Sequence, residues 1–375
     1  MIQIMTSMIV IMIVLLTIAW LLYPAIIFVA AKVYSLFYKK PAVTIHNLTY
    51  PDITIVVPIH NGGSHLQAKI DNIFSQQYEG RIKLIIISDG STDNTDIIAN
   101  DNVSSNTSFI KLNTRNGKSY VQNIALKQVN TEYVLFTDVS ARMETGVIKK
   151  LAETLRNDNI VGCAGARIIF NKTDLISRAY WWFENKLRIS ESHLGILATL
   201  SGAALMFKTQ YFDSLDPDTG DDFVLPLNMK LNHGMKSILV EDAFVSDHDY
   251  RNDAFSILNA RRRITSRSML AILRRLRLLN PIIYPGTSLM LFSHKIIRWF
   301  TPVIIMLIVL LIIIQIPLFW SLLLIIGVSV ITFMSCKLDI KRFRVLWAIK
   351  RAWLENFGIL LGIYDCSIGK KINYY

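Results

Sequence analysis

The stretch KLIIISDGSTDNT, residues 83–95, joins a run of aliphatic residues to an acidic turn and the start of a helix. Gly90 permits a tight turn, and Ser91 or Thr92 can cap the helix that begins near Thr95. Helix N-termini favour anionic groups, because their backbone N–H groups and the helix dipole are positive there. The stretch therefore predicts either a simple capped turn or an anion-binding loop at the end of a strand.

The alternation of strand and helix continues on both sides of this stretch. Apolar segments of strand length lie at 52–58, 83–88, 109–112 and 133–137, and helix-like segments lie between them. This pattern predicts an α/β, Rossmann-like domain, in which a largely parallel sheet has helices on both faces. Ligands of such sheets bind beyond the carboxyl ends of the strands. Three polar groups fall at predicted strand ends and so indicate a site: Pro58 to Asn61, Asp89 to Ser91 and Asp138 to Ser140.

The ends of the chain are too apolar for an ordinary soluble protein. The composition is 52% hydrophobic with a mean hydropathy of +0.38. Residues 8–31 carry no charge and are long enough to span a bilayer, which takes about 20 residues. A cleaved signal peptide is the alternative, but no Lys or Arg precedes the run. Residues 300–336 also lack charge and can cross twice, with a turn near Pro317.

Basic residues flank these apolar runs and predict their orientation. Lysines follow the first span, His294, Lys295 and Arg298 precede the second, and further basic residues follow position 336. These positions predict a cell-membrane, multi-pass protein with a cytoplasmic domain between 40 and 295. The apolar stretch 352–364 is short and is expected to lie in the interface. The net charge of +12 concentrates beside the spans. It therefore indicates contact with membrane lipids and no nucleic acid.

Several polar residues of the middle region could carry chemistry, although each also has a structural explanation. Lys118 lies in a loop and suits a phosphate charge. Asp138 ends a strand and is a candidate ligand of Mg²⁺ or Mn²⁺, since such ions take one or two carboxylates plus phosphate oxygens. In the adjacent pair Asp221 and Asp222, one carboxyl group can acquire a raised pKa that suits a general base. Helix capping is the alternative for all three aspartates.

An arginine-rich segment follows on a predicted helix at 254–273. Arg263 and Arg267 are four residues apart and share a face of that helix. One arginine could face a leaving diphosphate, while the others contact the membrane surface. The alternative is a solvated or lipid-facing basic helix.

Taken in order, these motifs resemble the family 2 glycosyltransferases, in the membrane-anchored branch related to cellulose and hyaluronan synthases. The resemblance runs from the first span to about Cys336. It rests on these segments: Ile55 to Asn61, Ser88 to Asp93, Asn116 to Lys118 with Asn123, Phe136 to Ser140, Ser201 to Ala204, Asp221 with Asp222, and Arg263.

The resemblance implies a GT-A nucleotide-diphospho-sugar transferase fold and an inverting, metal-dependent transfer of a sugar. The donor would be a nucleotide-diphospho-sugar, expected to be a UDP-sugar, and the acceptor a lipid-linked molecule or a glycan. In this scheme Asp222 is the catalytic base, Asp138 binds Mg²⁺ or Mn²⁺, and Gly202 and Asp221 lie on the acceptor side. The residues implied in donor binding are Pro58, His60, Asp89, Lys118 and Arg263.

The implied domain organisation has five parts. An N-terminal transmembrane helix occupies 1–40, the GT-A domain 41–255, and a basic amphipathic interfacial region 256–298. Two transmembrane helices follow at 299–336, and a cytoplasmic or interfacial tail occupies 337–375.

Two departures from the family pattern bear on function. Ser140 replaces the second acid of the Asp-x-Asp motif, and the late Gln-x-x-Arg-Trp motif is Ala-Arg-Arg-Arg-Ile at 260–264. The first leaves fewer carboxylates for a metal, and the second weakens the case for processive polymerisation. A single-addition enzyme is one consequence. A catalytically inactive, sugar-nucleotide-binding membrane partner protein is the alternative.

Overall fold

The protein is described from a computed structural model that covers residues 2–37, 50–169, 175–247, 253–317 and 344–370, together with positions 319, 320, 322, 323, 326, 327 and 330. The strands are β1 (Ile53–Ile59), β2 (Ile82–Asp89), β3 (Thr107–Leu112), β4 (Tyr133–Phe136), β5 (Ala141–Met143), β6 (Val161–Ile169), β7 (Leu205–Lys208) and β8 (Lys236–Asp247).

Helices precede, separate and follow these strands. They are α1 (Ile2–Phe37), α2 (Gly63–Phe74), α3 (Thr95–Asp101), α4 (Lys118–Leu126), α5 (Val147–Asn157), α6 (Leu175–His193), α7 (Asp221–His233), α8 (Ala254–Leu273), α9 (Pro285–Gln315) and α10 (Arg344–Ser367). Short π-helical turns interrupt α1 at Ile18–Leu22 and α9 at Leu291–Ile296.

The eight strands form one mixed sheet in the order β3-β2-β1-β4-β7-β6-β8-β5. Strands β1 to β4 pair in parallel, which confirms the predicted first half of the sheet. Strand β7 then runs antiparallel to both β4 and β6, and β5 runs antiparallel to β8. The prediction of a largely parallel sheet is therefore right for the first half and incomplete for the second.

Both faces of the sheet are buried, as expected for parallel strands covered by helices. In β1, Ile53, Ile55 and Val57 face one apolar cluster, and Val56 faces the other. Each of the four is at most 1% exposed. Side chains alternate between faces along a strand, so this double burial accounts for the continuous aliphatic run in the sequence. The rigid sheet fixes the polar loops at its carboxyl edge.

Helices α1 and α9 are long and apolar enough to cross a membrane, with mean hydropathies of 2.6 and 2.7. They contact each other through two polar pairs. Trp20 Nε1 donates to Thr301 Oγ1 at 3.1 Å, and Thr6 Oγ1 donates to Gln315 Oε1 at 3.1 Å. The predicted further crossing before residue 336 lies mostly outside the described residues. Two hydrophobic helices that pack together indicate association with a membrane.

The basic residues before the second apolar run have a different environment from the one predicted. Helix α9 begins at Pro285, so His294 and Arg298 lie inside it and are at most 8% exposed. His294 contacts Glu191 at 2.6 Å and Glu184 at 2.8 Å, and Arg298 contacts Glu184 at 3.3 Å. The two glutamates lie on α6. Buried charges need such partners, and these contacts join α9 to α6. The orientation predicted from the basic residues stays a prediction.

The interfacial location of region 256–298 stays a prediction. The region contains α8, the short 3₁₀ turn Leu276–Leu279 and the first part of α9. Two of its arginines pair with acids of the protein. Arg274 contacts Asp218 at 2.6 Å, and Arg275 contacts Asp216 at 2.9 Å. The sequence could not show these acids as partners, because they lie about 60 residues away along the chain.

Candidate active site

Two loops at the carboxyl edge of the sheet are joined by side-chain hydrogen bonds. Asn61, after β1, has a left-handed backbone with φ of 51°, and its Oδ1 accepts from the Thr92 N–H at 2.7 Å. Its own N–H donates to Ser91 Oγ at 3.1 Å. His60 Nδ1 lies 2.8 Å from the carbonyl oxygen of Asp89. The structure thus brings the first and second predicted strand ends together, with His60 half-buried between them.

The predicted cap at Ser91 or Thr92 is wrong. Helix α3 begins at Thr95, and Asp93 Oδ1 accepts from the Thr95 N–H at 3.1 Å. Asp93 Oδ2 also accepts from the Gly63 N–H at 3.1 Å. An aspartate two residues before the helix competes well for these donors, which leaves Ser91 and Thr92 to bind Asn61.

Asp89 shapes the loop that begins α4. It is 1% exposed, and its two carboxylate oxygens accept from the N–H groups of Asn116 at 2.6 Å and Gly117 at 2.8 Å. Gly117 has φ of 98° and is the residue before the helix. Both Asp89 oxygens therefore orient backbone. The nucleoside contact implied for Asp89 stays a prediction.

Lys118, the first residue of α4, lies at the centre of the candidate site. Its Nζ is 2.7 Å from Asp138 Oδ1 and 3.1 Å from Asp221 Oδ2. The lysine is 9% exposed, whereas the Asp138 side chain is 42% exposed. Gly202 makes room for the ammonium group, because a Cβ there would lie 2.8 Å from Lys118 Nζ. Four predicted site residues, Lys118, Asp138, Gly202 and Asp221, therefore meet at one place.

The aspartate pair begins α7, but neither aspartate caps it. The residue before the helix is Gly220, without a side-chain cap, so the capping alternative is excluded for both. Asp221 is 4% exposed, and its Oδ2 also accepts from Gln122 Nε2 at 2.7 Å. Asp222 is half-buried, and its carbonyl oxygen accepts from the Leu200 N–H at 2.9 Å. That bond attaches the loop containing Gly202 to α7.

The two carboxyl groups differ in acidity. Burial would raise the pKa of Asp221, but the Lys118 charge and the Gln122 hydrogen bond hold that pKa below its usual range. Burial and the neighbouring Asp221 charge raise the pKa of Asp222. Neighbouring carboxyl groups with opposite pKa shifts are suited to different roles. Asp221 is suited to remain charged beside the lysine, and Asp222 to accept a proton.

Arg267 on α8 contacts the elements that form this site. It is 9% exposed, its Nη2 donates to the Thr219 carbonyl oxygen, and it lies 3.5 Å from Ser119 Oγ. Sequence reasoning placed Arg263 and Arg267 on one face but chose Arg263. The role implied for Arg263 stays a prediction, and Arg267 is an addition to the site.

A buried lysine that sequence reasoning missed supports the Asp138 loop. Lys69 on α2 is 0% exposed, and its Nζ donates to Thr137 Oγ1 at 2.7 Å and to the Ala141 carbonyl oxygen at 2.8 Å. Thr137 Oγ1 donates in turn to the Ala203 carbonyl oxygen at 2.6 Å. A lone lysine in an amphipathic helix gives no sequence signal for this role. Pro58, implied in donor binding, is buried inside β1 opposite Ile87 and so supports the strand end.

Part of the chain is similar in sequence to known proteins. The family model "Glycosyl transferase family 2" matches residues 54–215. An N-acetylglucosaminyltransferase of Rhizobium sp. (strain N33) is 27% identical over 215 residues, which cover 52% of this chain and 48% of the relative. A poly-beta-1,6-N-acetyl-D-glucosamine synthase of Staphylococcus aureus (strain COL) is 26% identical over 176 residues, covering 45% of this chain and 42% of the relative. The match spans about half the length of these curated relatives.

A solved structure shares the fold over nearly the whole chain. The mannosyltransferase PcManGT from Pyrobaculum calidifontis, in complex with GDP-Man and Mn²⁺, has a TM-score of 0.70 and 20% sequence identity. The similarity covers 97% of this chain and 100% of that one. It confirms the predicted GT-A fold.

Proposed function

We propose that the chain is a membrane-bound, inverting glycosyltransferase of surface glycan synthesis, as supported by its similarity to family 2 transferases. It would move a sugar from a nucleotide-diphospho-sugar, a UDP-sugar, to a lipid-linked or polysaccharide acceptor. The names of the relatives make UDP-N-acetylglucosamine the first donor to test.

The observation that carries the proposal is the position of Lys118 between two carboxylates. The ammonium group contacts Asp138, at the exposed rim of the sheet, and Asp221, at the start of α7. A charge in that position can approach a diphosphate from the rim without moving far. Asp222 follows Asp221 directly and has the raised pKa expected of a base. Donor and acceptor groups would therefore react at the edge of this cluster.

The residues present fit a divalent cation held together with the donor. Within the described part of the chain, no group of three or more His, Cys, Asp or Glu side chains is placed to hold a metal ion. Asp138 supplies one half-exposed carboxylate, which is enough for Mg²⁺ or Mn²⁺ when diphosphate oxygens complete the coordination. When bound, such an ion neutralises charge on the leaving diphosphate. Asp138 would hold it, and Lys118 would add a second positive charge.

The transfer itself would be a single displacement. The acceptor hydroxyl oxygen bonds to the anomeric carbon while the bond from that carbon to the diphosphate oxygen breaks. Asp222 accepts the hydroxyl proton, and the nucleoside diphosphate leaves with the bonding electron pair. Attack opposite the leaving group inverts the anomeric configuration.

The location of the enzyme follows from its apolar helices. Helices α1 and α9 would anchor the chain in the cell membrane. The lysines after α1 favour a catalytic domain on the cytoplasmic side, where sugar nucleotides are present. This arrangement would bring a membrane-embedded acceptor to a soluble donor.

The direct experiment uses purified full-length protein in detergent with a panel of sugar nucleotides, Mn²⁺ and total membrane lipid as the acceptor source. Release of nucleoside diphosphate, together with sugar incorporated into lipid or polymer, is the expected result. Tight donor binding without release from any donor would instead favour the inactive partner protein. Asp222→Asn serves as the matched control, since it preserves shape and removes the proposed proton acceptor.

A further inference from the structure

The C-terminal helix α10 packs unusually closely along the arginine-bearing helix α8. A Cβ atom at Gly358 would lie 2.6 Å from the Leu258 carbonyl oxygen, and one at Gly362 would lie 2.5 Å from the Arg262 carbonyl oxygen. Real Cβ atoms do not approach backbone that closely. Small residues four positions apart let two helix backbones come together, and here both positions require glycine.

Ion pairs on both sides of this contact fix the register of the two helices. Arg261 Nη2 lies 3.0 Å from Glu355 Oε2. Arg262 binds Asp365 with two nitrogens, and its Nη2 donates to Asp365 Oδ1 at 2.7 Å. Asp365 is 0% exposed. A two-point guanidinium–carboxylate pair specifies geometry as well as charge, and here the carboxylate is buried, so α10 has one favoured position on α8.

Helix α8 transmits this position to the active site through Arg267. The guanidinium donates to the Thr219 carbonyl oxygen, and Ser119 Oγ donates to the same oxygen at 2.7 Å. Ser119 directly follows Lys118, and Thr219 lies two residues before Asp221. Arg267 therefore ties the start of α4 to the loop that starts α7, the two elements that carry the Lys118–Asp221 pair.

We propose that α10 is a positioning element of the active site, which must be docked on α8 for efficient sugar transfer. Docking holds Arg267 in place, and Arg267 keeps Lys118 and Asp221 within their 3.1 Å contact. Arg262, Asp365 and the two glycines touch no reacting atom and act through this chain of contacts. The inference rests on the proposed transferase function, because turnover is its readout.

The first test introduces single methyl groups at the helix contact. Gly358→Ala and Gly362→Ala each favour the isolated helix, since alanine is the better helix former. Loss of activity would therefore come from separation of α10 from α8 and not from unfolding of α10 itself. We expect kcat to fall about tenfold, the effect of losing one charge-assisted hydrogen bond, and donor KM to rise, because Lys118 is proposed to face the diphosphate of the donor. Ala352→Leu, at an exposed position of α10, is the control and should leave kcat unchanged.

The second test exchanges the charges of the Arg262–Asp365 pair. Arg262→Asp and Asp365→Arg should each lower kcat at least as much as the glycine variants, and the double variant should recover most of the loss. Recovery of kcat in the double variant would show that the pairing of α10 with α8 matters. If the single substitutions only destabilised the protein, their effects would add in the double variant. Wild-type kcat in the single variants, or a double variant no better than the worse single one, would overturn the inference. A wild-type protein without transfer activity would refute the proposed function instead.

Discussion

Asp221 and Asp222 are adjacent, yet replacing each with asparagine should have opposite effects on stability. Asp221 is 4% exposed and lies 3.1 Å from Lys118 Nζ, which holds the pKa of the carboxyl group below its usual range. Asp221→Asn breaks a buried ion pair, a change that typically costs about 3–5 kcal/mol of folding stability. We expect the lower end, about 3 kcal/mol, because Lys118 keeps Asp138 as a partner.

Asp222→Asn should instead leave stability unchanged or increase it. Burial and the Asp221 charge raise the pKa of Asp222, so ionisation of this carboxyl group costs more free energy in the folded protein than in the unfolded chain. Removing that charge relieves repulsion between the two carboxylates. Turnover should nevertheless fall by about 10²–10⁴, the usual contribution of a general base. Donor KM should stay near normal, because the base contacts the acceptor hydroxyl.

Thermal unfolding in detergent and steady-state kinetics of both variants test this reasoning. The expected pattern is a lower melting temperature for Asp221→Asn, and an unchanged or higher one with low kcat for Asp222→Asn. A destabilised Asp222→Asn with normal turnover, beside an inactive and stable Asp221→Asn, would show that the two roles are exchanged. Normal turnover in both would remove the base assignment altogether.

Three further predictions concern the metal, pH and topology. Asp138→Ala should abolish transfer and donor-dependent Mn²⁺ binding measured by electron paramagnetic resonance, and full wild-type activity in excess chelator would contradict the metal role. The base acts when deprotonated, so kcat should be lost as pH falls through the raised pKa of Asp222. A pH profile in which kcat falls only in the usual pKa range of an aspartate would contradict this assignment. A cysteine introduced at Asn102 should resist an impermeant thiol reagent in intact cells and react after lysis, whereas ready labelling in intact cells would refute a cytoplasmic domain.

The first half of the sheet was predictable because its signals are local. Each strand from β1 to β4 is a short aliphatic run followed by polar residues, and parallel pairing then places those residues at one edge. Lys118, Asp138 and Asp221 could therefore be selected individually. Their direct contact could not be predicted, because it depends on how α4 and α7 approach that edge.

Other features could not be predicted because their partners lie far apart along the chain. Arg263 and Arg267 are equivalent by helical spacing, and only tertiary packing directs Arg267 toward Thr219. His294 and Arg298 had the pattern of a charged membrane flank, but their glutamate partners are more than 100 residues away. The buried Lys69 was missed for the same reason, since Thr137 is 68 residues distant.

Nucleoside diphosphate release by the purified full-length protein tests the central claim most directly. The measurement compares wild type with Asp222→Asn, using UDP-N-acetylglucosamine first, Mn²⁺ and membrane lipid as acceptor. We predict release coupled to sugar incorporation by wild type, reduced about 10²–10⁴ in the variant at similar donor affinity. Donor binding with equal, background-level release from both proteins across the whole donor panel would contradict the account and favour a sugar-nucleotide-binding partner protein.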